Sequence, residues 1–145
     1  MPSDSLKLSA HFTLHELLAS QTATRKEITE QFDPPQEIID NLKHLAVNLL
    51  EKLRMINGNK PLFLSSGYRC PRLNKAVGGA KNSQHMRGMA ADVDFGSKEA
   101  NKAFFTRIKN SNIEFDQLLN EFDFSWVHIS LTKESNRREV LNITK

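Results

Sequence analysis

The stretch between residues 38 and 53 constrains the fold most. Ile38, Ile39, Leu42, Leu45, Leu49, Leu50 and Leu53 recur at three- and four-residue steps. On a helix of 3.6 residues per turn that spacing gathers them on one face. It predicts an amphipathic helix of about five turns. Pro34-Pro35 suits its first turn, Asp33 its N-cap, and Asn57-Gly58 its stop. Such a stripe must be buried against another element, and the second half of the chain supplies candidates.

Pro61–Ser65 and Met89–Phe95 read as strands, and Lys98–Lys109 as a helix with Ala100, Ala103, Phe104 and Ile108 on one side. Phe115–Glu121 and Ser125–Leu131 read as a hairpin turning at Phe122-Asp123-Phe124. Residues 67–84, with Gly67, Pro71, Gly78 and Gly79, read as a long loop with a helical turn at Pro71–Ala76. Long ordered loops in compact domains often carry function. Upstream, Thr13-Leu14-His15-Glu16 has capping-box form, so a short helix is expected from Thr13. Residues 1–10 read as a loose arm and 20–32 as a turn or extended connection. The polar tail after Thr132 is expected to end in a short strand or to fray. Helices come first, then strands with one inserted helix. That order predicts an α+β domain, with helices packed on one side of a small antiparallel sheet. The expectation is one domain over 1–145, with its core at about 12–131.

Composition narrows the class. The 145 residues are 39% hydrophobic and 26% charged, which excludes wholesale disorder. No apolar run approaches the ~20 residues of a membrane span. The single Cys70 excludes an internal disulfide. The net charge is +3 and the basic residues are spread out, so no nucleic-acid partner is expected. Met1–Ala10 lacks the form of a signal peptide. The expected location is the cytoplasm, or the cell wall after release by a phage-type or other route.

Three residues suggest chemistry. His85 and Asp92 flank a short segment with the small residues Gly88, Ala90 and Ala91, and His128 lies on a later strand. Two imidazoles and a carboxylate can hold Zn²⁺ and leave a fourth position for water. From these residues alone, a satisfied strand-end carboxylate and a core histidine are equally open readings.

The surrounding words are more specific. Ser65-Ser66-Gly67-Tyr68-Arg69, Leu73-Asn74, Val77-Gly78-Gly79-Ala80, Ser83 through Asp92, and Trp126-Val127-His128-Ile129-Ser130 follow in order. The pattern S-x-H-x-x-G-x-A-x-D is met at Ser83, His85, Gly88, Ala90 and Asp92. The chain closely resembles the zinc D-Ala-D-Ala carboxypeptidase family of metallopeptidases, above all its compact bacterial and phage branch. The resemblance runs from about Phe12 to about Leu131. It implies a Hedgehog/DD-peptidase-like fold and one Zn²⁺ held by His85, Asp92 and His128. It also implies that Arg69 faces the substrate, with Ser83 nearby. A guanidinium suits a terminal carboxylate because it offers a bidentate fork. A loop-bracing ion pair for Arg69 and a turn cap for Ser83 stay open.

The general base is expected to be Glu121, since in the compact branch a glutamate ends the strand before the Trp-Val-His strand. In other members an acid stands three residues before the last histidine, where this chain has Ser125. Glu121 and His128 would face opposite ways on one continuous strand, but a hairpin between them can bring them together. Asp123, in the turn, is the competing base. The implied reaction is endolysin-like hydrolysis of peptidoglycan stem peptides or cross-links beside D-alanine, by a monomer of carboxypeptidase or endopeptidase type. The alternative is a non-catalytic zinc-containing module that binds cell wall or a protein.

Other candidates carry less. His11 falls outside the helix that holds His15, His44 reads as solvated, Cys70 as a packed thiol and Tyr68 as packing under the loop. Asp94 shares a face with Asp92, as a support or a solvated acid. Trp126 shares a face with His128, in a groove or in the core.

Overall fold

The computed structural model describes residues 6–144. Two short helices, α1 (Leu14–Leu18) and α2 (Gln21–Arg25), lead to a 3-10 turn at Thr29–Phe32. A long rod follows, α3 (Gln36–Leu45) running through a π turn at Ala46–Leu50 into α4 (Glu51–Ile56). Then come β1 (Leu64–Ser66), α5 (Pro71–Ala76), a 3-10 turn at Gln84–Arg87, β2 (Ala90–Val93) and α6 (Lys98–Lys109). Strands β3 (Gln117–Glu121), β4 (Trp126–Ser130) and β5 (Glu139–Ile143) complete the chain.

The apolar stripe forms the heart of the core. Leu42, Leu45, Leu49, Leu50 and Leu53 are all fully buried, each contributing about 1.5–3 kcal/mol by leaving water. They join one cluster with Phe104 and Ile108 of α6 and with Ala91, Val93, Leu118, Val127 and Ile129 of the sheet.

Local readings change in three places. Pro35, not Asp33, occupies the α3 N-cap, with no side-chain hydrogen bond. Residues 20–32 are helical rather than extended: Ser20 caps α2 by accepting from Ala23 N, at 3.0 Å. The arm is held from Leu6 onward. Lys7 bridges Thr13, Leu8 is buried, and Ser9 Oγ and His11 Nδ1 bond Glu51 at 2.6 and 2.7 Å. Residues 1–5 of the expected arm lie outside the described residues.

The sheet order is β1-β2-β4-β3-β5. Four strands pair antiparallel, but β5 lies parallel to β3, so the expected antiparallel sheet is mixed. The cause is an occupied edge. β2 already covers the far side of β4, through Asp92↔His128. The last strand therefore joins the open edge of β3, and both run opposite to β4.

A charged lock fixes that return. Asp116, buried just before β3, takes a fork from Arg137, with Nε at 3.0 Å and Nη2 at 2.8 Å. Hydrogen bonding from Arg137 outweighs burial and lowers the Asp116 carboxyl to about 2. A depressed carboxyl contributes stability above its unfolded value near 3.9, and that stability is lost as pH falls through about 2. Because Arg137 is open to solvent, about 1–2 kcal/mol is expected. Urea unfolding of wild type and Asp116→Asn should differ at pH 5 and converge by that amount at pH 2.

Candidate metal centre and cleft

Strand alternation divides the sheet into a core face and a working face. Register aligns Ser66 with Asp92, Asp92 with His128, His128 with Leu119, and Trp126 with Glu121. All point away from the core. The turn Gln84–Arg87 adds His85: Ser83 Oγ caps it by accepting from His85 N at 3.1 Å, and Gly88 closes it at φ +71°. A side chain at Gly88 would be strained there and would meet Ile38 O at 3.1 Å.

The ligand atoms of His85, Asp92 and His128 lie within 4.8 Å of one another, and all three residues are buried. Asp92 Oδ1 is 3.3 Å from His85 Nε2 and 3.0 Å from His128 Nδ1. Atoms sharing one tetrahedral zinc would stand about 3.3 Å apart. Gly67 O can only accept, so His85 Nδ1 donates to it at 2.6 Å, which turns Nε2 toward Asp92. Burial opposes the Asp92 charge, but the charges and hydrogen bonds of His85 and His128 prevail, holding its carboxyl well below the usual range. Two imidazole nitrogens and a carboxylate are a donor set zinc takes, displacing protons from its ligands as it binds. The site fits it.

Gly67 is the hidden support. A Cβ there would stand 2.5 Å from Leu17 O and 2.8 Å from Leu17 Cδ1. Gly67→Ala is expected to cost about 1–3 kcal/mol in overpacking. By displacing the partner of His85 it should also weaken zinc binding about 10–100-fold. Unfolding and competition with a chelating dye would measure both.

Around the triad the expected residues separate. Glu121 lines the same cleft as His85 and His128, and Trp126 Nε1 donates to Glu121 Oε2. Asp123 is not among the cleft residues, and its carboxylate pairs with Lys98 Nζ at 2.8 Å on the surface. The turn between them explains the geometry. Phe122, Asp123 and Phe124 all have positive φ, +52°, +57° and +61°, a conformation that costs about 1–2 kcal/mol per residue. Asn120 Oδ1 accepts from Phe124 N at 2.5 Å, and Asn101 Nδ2 donates to the carbonyls of Phe124 and Ser125. These bonds hold the tight turn that sets Glu121 opposite Trp126.

Arg69 lies where two clefts meet. Its N–H donates to His85 O at 3.0 Å, and Nη2 reaches Ser83 Oγ at 3.4 Å. Nε is buried without a partner. Burial lowers its pKa, while Asp92 and Glu121 oppose that shift. Ser83 is thus both turn cap and neighbour of Arg69. The loop's anchor is Gln31, which the sequence reading did not single out. Fully buried, it donates to Leu18 O and Tyr68 O at 2.9 and 2.8 Å and accepts from Cys70 N at 2.8 Å. Only its amide among polar neighbours could have hinted at this.

The remaining candidates lie elsewhere. Asp94 bonds Gly96 N and Asn101, His44 bonds Asn48, and Cys70 is buried. No helix among the described residues is long and apolar enough to cross a membrane.

Two known groups of proteins are similar to this chain. A family model described as Peptidase M15 matches residues 10–130. A zinc D-Ala-D-Ala carboxypeptidase of Streptomyces albus G is 45% identical over 49 residues, which cover 34% of this chain and 19% of the relative.

Proposed function

Because the chain belongs to the Peptidase M15 family, we propose that it is a zinc peptidase acting on peptidoglycan peptides beside D-alanine. The observation that carries this reading is the convergence of His85, Asp92 and His128 in one cleft with Glu121. The Streptomyces relative's being a zinc D-Ala-D-Ala carboxypeptidase supports the substrate, and the helix-backed mixed sheet is compatible with a Hedgehog/DD-peptidase-like fold. When bound, zinc supplies a Lewis acid that polarises a carbonyl and acidifies water.

The chain's own residues do the rest. Arg69 takes the acidic end of the substrate in its guanidinium fork. Trp126 holds Glu121 Oε2, which leaves Oε1 to accept a proton from the attacking water. As water adds to the carbonyl carbon and the C–N bond breaks, Glu121 returns that proton to the leaving amine.

Release of D-alanine from a stem peptide ending in D-Ala-D-Ala, by zinc-loaded but not by chelated protein, tests this function. A protein that binds zinc and peptide without release would instead be a binding module. Arg69→Lys keeps charge but loses the fork. It should raise KM about tenfold, with a smaller change in kcat, in steady-state assays.

A further inference from the structure

We propose that Arg87 and Arg137 form a second anion-binding pole in the metal cleft, across the triad from Arg69. It reads a carboxylate on the residue that precedes the D-Ala-D-Ala pair. This rests on the peptidase reading above and narrows its substrate class to peptides acidic at both the terminus and the residue before the pair.

The sheet order sets the two poles apart. Arg69 follows β1 at one edge, and Arg137 precedes β5 at the other. Asp92 on β2 and His128 on β4 lie between those edges. Arg69, Arg87, Arg137 and the triad line one cleft of about 590 Å³. That volume is in the range that buries a drug-sized ligand, so a D-alanine pair leaves room for more of the peptide. Register places what comes next. Gln117 and Leu119 share a face of β3, and Leu119 is level with His128. Two strand steps, about 7 Å, separate the levels of His128 and Gln117. Asp116, the partner of Arg137, immediately precedes Gln117. A peptide with its terminal carboxylate on Arg69 and its scissile bond at the triad brings its third residue from the end to this region.

Arg137 is aimed yet open. Asp116 takes Nε at 3.0 Å and Nη2 at 2.8 Å, two of the side chain's N–H groups. Nη1 stands 3.6 Å from Glu139 Oε1, beyond hydrogen-bonding range. The side chain is 57% exposed. A guanidinium held along one edge by a buried carboxylate offers its other edge with little further loss of freedom. Arg87 is unengaged at its charged end. Among the described residues its guanidinium makes no hydrogen bond or ion pair, although Glu37, Asp40 and Glu134 line the neighbouring cleft that it also borders. Its backbone is fixed, since Asn41 Nδ2 donates to Arg87 O at 2.8 Å. Nearby acids temper the pole without filling it. Asp116 is buried and committed to Arg137, and Glu139, outside the cleft lining, accepts from Gln117 Nε2 at 2.7 Å. Arg137 also lies beyond residues 10–130, so it belongs to this chain's own tail and not to the part that matches the family.

Two tripeptides decide it, acetyl-Glu-D-Ala-D-Ala and acetyl-Gln-D-Ala-D-Ala. They share the terminal carboxylate that Arg69 takes and differ in one charge. Binding to zinc-loaded Glu121→Gln gives a ratio of affinities, and turnover by the otherwise wild-type protein gives a ratio of kcat/KM. Each ratio is taken within one protein, so a change in folded fraction cancels. The Glu peptide should be favoured about tenfold in both, the equivalent of one hydrogen bond to a charged group. Arg87→Gln with Arg137→Gln should bring both ratios to within about twofold of unity. Glu139→Gln keeps the Asp116 fork and removes the nearest competitor, so it should raise both ratios about twofold or more. Arg107→Gln removes a charge on α6 outside the cleft and should change neither. Equal treatment of the two peptides, a preference that survives the paired substitution, or an equal loss in Arg107→Gln would overturn the pole. No rise in Glu139→Gln would take Arg137 out of it. Absence of turnover with both peptides would overturn the peptidase reading, while the binding ratio would still decide the pole.

Discussion

Glu121→Gln is expected to lower kcat by about 10²–10⁴, the usual contribution of a general base, while zinc content and fold remain those of the wild type. The substitution keeps an amide oxygen where Trp126 donates, so the loss would be of proton transfer and not of packing. KM should change little, because binding rests on Arg69 and the cleft walls. The same assay on Asp123→Asn should stay within about twofold of the wild type, since Asp123 is exposed and paired with Lys98. Retention of more than a tenth of kcat in Glu121→Gln would remove Glu121 from the chemistry. A larger loss in Asp123→Asn would assign the role to the turn.

His128→Ala should have an equally large effect by another route. It removes one of three converging donors and leaves Asp92 bonded to His85 alone. Zinc affinity should fall by more than the 10–100-fold seen when only an outer hydrogen-bond partner is lost. The consequence is readable without substrate. Zinc at 100 times its Kd should stabilise the wild type by about 2.7 kcal/mol, on the order of 10 °C in Tm for a domain of this size. The variant should gain nothing at that concentration. Equal zinc affinity in the two proteins would show that His128 is not a ligand.

The sequence made the core rod and the site motif legible for different reasons. Leu42 to Leu53 announce a helix because burial imposes a strict period. Ser83, His85, Gly88 and Asp92 stand out because one short turn and strand hold most of the chemistry, and local geometry leaves a local pattern. The hairpin was legible too, including its turn and the side shared by Glu121 and His128. What was hidden depends on distant partners. Gln31 and Asn101 are polar residues with no periodic signature, yet each satisfies several buried backbone groups across the chain. The parallel placement of β5 follows from β2 filling the edge of β4, a fact of assembly rather than of the tail's own residues. The Asp33 expectation failed because two prolines put the helix start at Gln36, beyond reach of its side chain.

The most direct measurement is digestion of purified peptidoglycan by protein carrying about one zinc per chain, beside chelated protein and zinc-loaded Glu121→Gln, with released fragments identified by mass. The account predicts new ends beside D-alanine with the zinc-loaded wild type alone. An unchanged fragment profile at full zinc occupancy would contradict it.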